Sequence, residues 1–182
     1  MYTGHFAVAL AAAGRARTIS LWLLIVAAFA SDLAEGVVAA FGVGDPTRVW
    51  SHSVPAAVGA GLVLAVTWRI TGGSWRAGGI IVLTSASHTL LDFTTAVKTV
   101  WPGARPMGMH LYSHAYLDFL VEGGVCVLGW AVWRASLPPE QRHRRLAWAA
   151  LGTLLIAQAI ASAHILLFGT IGDPDALSKF VR

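Results

Sequence analysis

Five apolar runs, residues 19–41, 54–70, 77–100, 111–133 and 146–168, make up most of this 182-residue chain. Each approaches the ~20 residues that a helix needs to cross a hydrocarbon core. The rest of the composition agrees. The chain is 56% hydrophobic with a mean hydropathy of +0.65, and only 12% of it is charged. That charged share is about half of what soluble domains carry. The expected fold is therefore all-α: an integral membrane helical bundle of five long spans, forming one domain over residues 1–182. A short apolar stretch, residues 2–13, precedes them. At ~1.5 Å per residue it reaches only ~18–20 Å, which suits a partly inserted or tucked helix. Thr18 and Ser20 are candidate caps for the helix that follows.

Lys and Arg exceed Asp and Glu by 13 to 9. The arginines lie between apolar runs, and no basic stripe interleaved with aromatics exists, so nucleic-acid binding is excluded as a reading. Their distribution speaks instead to orientation. If the five runs alternate, one side receives Arg15, Arg17, Arg69, Arg76, Arg134, Arg142, Arg144 and Arg145. The other receives Arg48, Lys98, Arg105, Lys179 and Arg182. The richer side is expected in the cytoplasm. The single Cys126 lies in an apolar run, where a buried, inert thiol is expected. The first residues lack a basic start, and no cleavable signal peptide is expected.

Against this apolar background the ionisable residues stand out, because each needs a partner inside a membrane segment. His88 and Asp92 lie four apart in the run 77–100, on one helical face. His110, His114 and Asp118 repeat the spacing at the start of the next run, and Glu122 extends it. Asp32 and Glu35 lie in the first run, and His52 just before the second. With alternating spans, Asp32 is ~20 Å from the cytoplasmic end of its helix, and His88 and Asp92 ~16 and ~22 Å from the end of theirs. His52, His110 and His114 start on the outer side, and His5 reaches the same level if its segment points outward. One site in the outer half of the membrane is expected.

Imidazole and carboxylate together suit zinc, manganese or iron. The candidate ligands are His5, Asp32, His52, His88, Asp92, His110, His114 and Asp118, enough donors for two or more divalent ions. Such an ion would offset the cost of burying Asp32 and Asp92, and would lower the pKa of bound water toward ~7. A His–Asp hydrogen bond without metal is the main competing account of His88 and Asp92. Glu35 is a candidate general base, and Arg48 a candidate phosphate-holding group.

The order His5, Asp32, Arg48-x3-His52-Ser53 and His88-Thr-Leu-Leu-Asp92 resembles the YdjM-like, LexA-regulated, membrane-bound predicted metal-dependent hydrolases. The resemblance covers residues 1–118. Thr47, Ser31 and Ala34 depart from the family's His, Pro and Asp at the matching positions. The ligand order is also similar to that of zinc-dependent phospholipase C and nuclease. That second resemblance implies one metal on Asp32, His52, His88 and Asp92. It implies another on His110, His114 and Asp118, and a third on His5 with Asp92. Together the resemblances imply a hydrolase of esters or phosphoesters in a bacterial inner membrane, acting on a lipid or lipid-linked substrate with metal-activated water. A metal or proton transporter is the competing class, and would string polar residues through the full membrane depth. A non-catalytic membrane protein with a structural metal site is the third. Oligomeric state is not readable from the sequence.

Overall fold

The computed structural model describes residues 1–41 and 51–168, and those residues are helical throughout apart from their connections. In chain order the helices are α1 (Gly4–Arg15), α2 (Leu21–Ala28), α3 (Ala30–Ala40), α4 (Val54–Ile70) and α5 (Trp75–Thr95). A 3₁₀ turn (Leu111–Ser113), α6 (Ala115–Ser136), a short α7 (Pro139–Arg142) and α8 (Arg145–Phe168) follow. Serine starts three of the helices. Ser20, Ser53 and Ser74 accept hydrogen bonds from the backbone N–H of Leu23, Ala56 and Ala77, each satisfying an orphan donor of the first turn.

Two long helix pairs organise the bundle. α4 and α5 pack antiparallel, and the Ser85 hydroxyl donates to the Ala57 carbonyl across their interface at 2.7 Å. α1 runs parallel to α6, with Gly14 beside Ser136 at one end and Gly4 beside Val125 towards the other. Their backbones meet at Gly129, where an added Cβ would fall 2.4 Å from the Ala7 carbonyl oxygen. Small residues allow such close approach in bundles whose exterior is apolar. α8 packs antiparallel on α6, where the Trp130 indole donates to the Ala147 carbonyl at 2.6 Å.

This connectivity puts Arg15, Arg69, Arg76, Arg134 and Arg145 at one end of the bundle. The apolar core, including Ala16, Ile19, Leu24, Ala65, Ala77 and Ile81, gathers towards that end. Buried polar side chains, His5, His52, His88, Asp92, Asp118 and Glu122 among them, gather at the other. The outside is lined by exposed Leu62, Val63, Leu83, Leu90, Leu128 and Ile160.

The expected spans are changed in three places. The run 19–41 is not one helix, because α2 and α3 meet at Phe29 and bend by 65°. α5 stops at Thr95, not at residue 100, and Ala96 turns to an extended conformation. The β-branched sequence Thr94, Thr95, Val97, Thr99, Val100 disfavours further helix. Lys98 and Met107 instead pair across an antiparallel bridge, with N···O distances of 3.0 and 2.9 Å. α6 begins at Ala115, not at residue 111. By length and composition, α6 and α8 are long and apolar enough to cross a membrane, and α2 with α3 would add a third crossing if the bent pair counts as one. That is fewer than the five spans that the apolar runs suggest.

Candidate metal centre

The centre is built around α5. His88 and Asp92 share a face of that helix as their spacing requires, and His88 Nε2 lies 3.4 Å from Asp92 Oδ2. The bend at Phe29 supplies the next contact. His88 Nδ1 lies 2.8 Å from the Ala28 carbonyl, at the very end of α2. In an unbroken helix that carbonyl would be committed to the N–H four residues on. Nδ1 must carry the proton to donate to it, which leaves the Nε2 lone pair facing the carboxylates.

The same bend starts α3 just before Asp32, so Asp32 lies in its first turn. Its Oδ1 stands 3.1 Å from His52 Nε2 and 3.7 Å from His88 Nε2. His52 is held at the approach to α4: its Nδ1 meets the Ser51 hydroxyl at 2.9 Å and Glu35 Oε2 at 3.4 Å, and its carbonyl accepts from Thr89. A proton on Nδ1, shared with Ser51 and Glu35, would present the His52 Nε2 lone pair inward. That nitrogen is 3.5 Å from Asp92 Oδ2.

Asp32 Oδ1, His52 Nε2 and His88 Nε2 form one three-donor group. Asp32 Oδ1 lies 3.1 and 3.7 Å from the two imidazole nitrogens, and Asp92 Oδ2 approaches the same nitrogens from beside the group, at 3.5 and 3.4 Å. Around a tetrahedral zinc with bonds of about 2.0–2.1 Å, neighbouring ligand atoms are about 3.3–3.4 Å apart. His52 Nε2 and Asp32 Oδ1 are within hydrogen-bond distance of each other. His88 Nε2 is buried without a hydrogen-bond partner. Buried polar atoms left in that state are uncommon and costly, and a cation is the partner that a ring lone pair between two carboxylates would take.

His5 closes the other side. Its ring stacks on that of His88, with centroids 4.1 Å apart and planes 10° from parallel. Its Nε2 lies 3.3 Å from Asp92 Oδ1, yet neither ring nitrogen makes a hydrogen bond. His5, His88 and Asp92 form one group able to hold an ion, and Asp32, His52 and His88 form another. Asp92 therefore faces both sides, with Oδ2 towards His52 and His88 and Oδ1 towards His5 and, at 2.7 Å, the amino nitrogen of Met1. The imidazoles and Asp92 are almost wholly buried, whereas the Asp32 and Glu35 side chains are 47% and 28% exposed. The open side of the centre is theirs.

The expected second ligand set does not assemble. A spacing of four aligns residues only on a helix, and His110 and His114 precede α6. His110 has left-handed backbone angles (φ 53°) before the 3₁₀ turn, and both histidines are exposed. Asp118 is buried on α6, but it accepts from the Gln158 side chain at 3.3 Å, and none of the three belongs to either group. Arg48 lies outside the described residues, as does Thr47.

Glu122, which the sequence offered only as an extension of a helical face, has a clear place. Its carboxylate accepts from the backbone N–H of Thr3 at 2.9 Å, Tyr2 at 3.0 Å and Gly4 at 3.3 Å. It caps α1 from α6, one residue before His5. The Thr3 hydroxyl bonds to Gln158 of α8 and accepts from the Cys126 thiol at 3.4 Å, so Cys126 is buried and uncommitted to any disulfide. No pattern local to residues 1–5 could announce a capping residue more than a hundred positions away. Lys98 was also missed as a neighbour of the centre: its Nζ is 3.7 Å from Asp92 Oδ2.

Fold and site together define an all-helical protein with buried His and Asp groups able to hold a metal ion at one end of its bundle. The chain matches no family model, and no curated protein or solved structure matches it significantly.

Proposed function

We propose that this chain is an integral membrane hydrolase that uses a divalent metal, zinc by preference, to cleave an ester or phosphoester of a lipid or lipid-linked substrate. The observation that carries the proposal is the group Asp32, His52 and His88, with Asp92 Oδ2 3.5 and 3.4 Å from the two imidazole nitrogens and His88 Nε2 without a hydrogen-bond partner. His5 and Asp92 Oδ1 would take part in a second ion.

Membrane residence draws on the inside-out distribution of polarity. α5 is long enough to cross, at ~31 Å, and its average hydropathy understates it. Its polar residues Thr84, Ser85, His88, Thr89, Asp92 and Thr95 are all buried, while Leu83 and Leu90 face outward. α4, at ~25 Å, crosses with it as one antiparallel pair. The arginine-rich end would lie in the cytoplasm, which puts the centre in the outer half of the bilayer.

A metal held by Asp32, His52 and His88 would keep a fourth position open, where it would polarise the scissile bond and lower the pKa of water toward ~7. The protein's own groups would do the rest. Asp32 and Asp92 balance the charge, the Ala28 carbonyl and Glu35 hold His88 and His52 in the ligating tautomer, and buried imidazoles keep bulk water to the Asp32 side. Glu35, against His52 Nδ1, serves as the orienting carboxylate in this reading. Hydrolysis agrees with the resemblance to YdjM-like proteins. The grouping of buried polar residues at one end favours a closed site over a transport pathway.

The test is metal analysis of the purified protein with an assay on phospholipid and lipid phosphate substrates. The proposal expects bound divalent metal in the wild type, its loss in His88→Ala, and turnover that follows metal content. A wild type without metal would remove the basis of the proposal, and bound metal without turnover would leave a structural or transport site.

A further inference from the structure

Lys98 enters the sequence argument only as one charge in a topology count, yet the fold brings it to the centre. Its Nζ lies 3.7 Å from Asp92 Oδ2, the same oxygen that faces His52 and His88. The helix-terminal arginines Arg15, Arg69, Arg76, Arg134 and Arg145 are at the opposite end of the bundle. The Lys98 side chain is 16% exposed, between the buried imidazoles and the more open Asp32 and Glu35.

Its backbone is tied on several sides. Lys98 and Met107 exchange both hydrogen bonds, Met109 N–H donates to the Phe93 carbonyl at 2.8 Å, and Val54 N–H donates to the Val100 carbonyl at 2.9 Å. Gly108 seals the loop, since a Cβ there would fall 1.9 Å from the Ala96 carbonyl oxygen. The lysine thus projects from a loop fastened to the end of α5 and to the start of α4, the two helices whose ends carry Asp92 and His52.

This placement leaves a charge to be used. Asp92 Oδ1 already meets the Met1 amino nitrogen at 2.7 Å, and Oδ2 faces the imidazoles that would hold the ion. Once Asp92 Oδ2 serves the ion, the Lys98 ammonium has three donors and a diminished anionic partner. We propose that Lys98 is the anion-recognition group of the centre, donating to an unesterified oxygen of a phosphate group, so that the substrate class is phosphoesters and not neutral carboxylic esters. The assignment rests on the metal-hydrolase reading above. A neutral ester would bring no anion to match a fixed ammonium at the rim, whereas a phosphate brings at least one full negative charge.

The test uses the full chain purified in detergent, as wild type, Lys98→Met and Lys98→Arg. Zinc content is measured first. Binding of inorganic phosphate and of short-chain phosphatidate is then followed by calorimetry. The proposal expects equal zinc in the three proteins and phosphate binding weakened about tenfold or more in Lys98→Met. Lys98→Arg should restore most of the binding, because it keeps the charge. Tighter binding of phosphatidate than of phosphate identifies a lipid headgroup as the source of the anion, and equal binding identifies a soluble phosphate. Unchanged phosphate affinity in Lys98→Met overturns the assignment and leaves Lys98 as a neutralising partner of Asp92, with the metal reading intact. Loss of zinc in Lys98→Met in step with loss of phosphate overturns it too. A wild type that holds no zinc defeats the hydrolase reading separately. Lys98-dependent phosphate binding in that metal-free protein would still support the assignment, and its absence would overturn it.

Discussion

Alanine at Gly129 would test how α1 is placed, and with it His5. A Cβ at this position falls 2.4 Å from the Ala7 carbonyl oxygen, 2.8 Å from the Ala7 carbonyl carbon and 2.9 Å from its Cβ. Ordinary contact begins at 3.4 Å, so the α1 backbone must retreat by about 1 Å or tilt. The obstructing atoms are backbone on one side and a helical Cβ on the other, and neither can rotate away. Overpacking of this kind costs about 1–3 kcal/mol. His5 lies two residues before Ala7, and ligation tolerates errors of only about 0.2 Å, so the displacement should reach the metal centre as well. Gly124, on the same helix, is the control: nothing lies within 4 Å of an added Cβ there. Gly124→Ala should be neutral or gain up to about 1 kcal/mol from helix propensity. Thermal unfolding in detergent, with zinc content measured on the same samples, reads both effects. If Gly129→Ala unfolds at the wild-type temperature and keeps its metal, the close packing of α1 on α6 is wrong.

Other expectations follow from named contacts. Glu122→Gln replaces a carboxylate that accepts from three backbone N–H groups with an amide that opposes a donor to them. Hydrogen bonds to charged groups contribute about 1.5–3 kcal/mol each and are not additive, so a loss of about 2–4 kcal/mol is expected in a denaturation midpoint, with weaker zinc retention because α1 carries His5. His110→Ala/His114→Ala should keep wild-type zinc, measured by elemental analysis, whereas Asp92→Asn should lose it; zinc loss in the double variant would restore the second ligand set. Cys126 is buried against Thr3, and a water-soluble maleimide should label it only after denaturation.

How much of this was legible beforehand depended on the range of the interaction. The His88–Asp92 pair was readable because both residues lie within one uninterrupted helix, where spacing and geometry are equivalent. The capping serine Ser20 was readable for the same reason, being local. Asp32 and His52 came from the depth that alternating spans give them alongside His88, and the structure brings both to His88. The bend at Phe29 left no trace, since residues 21–35 contain neither Gly nor Pro to mark a break. The carbonyl of Ala28 that orients His88 was invisible with it. His110 and His114 misled because a spacing of four presupposes a helix that begins only at Ala115. Glu122 and Lys98 acquire their places through contacts with α1 and with Asp92, which tertiary packing alone creates.

Apolar runs were equally two-sided as evidence. They gave the all-helical fold, yet α4 falls short in length and α5 in hydropathy when each is judged by itself. Burial explains α5: Thr84, Ser85, His88, Thr89, Asp92 and Thr95 are buried, and a linear average weighs them as though they were exposed.

X-ray absorption at the zinc edge of the loaded, purified protein tests the central claim most directly. The group Asp32, His52 and His88 with one water or further oxygen calls for four nitrogen and oxygen ligands at about 2.0–2.1 Å, two of them with the outer-shell scattering of imidazole, and for loss of that signal in His88→Ala. A sulfur shell near 2.3 Å, a six-oxygen shell without imidazole, or an unchanged spectrum in His88→Ala would contradict it.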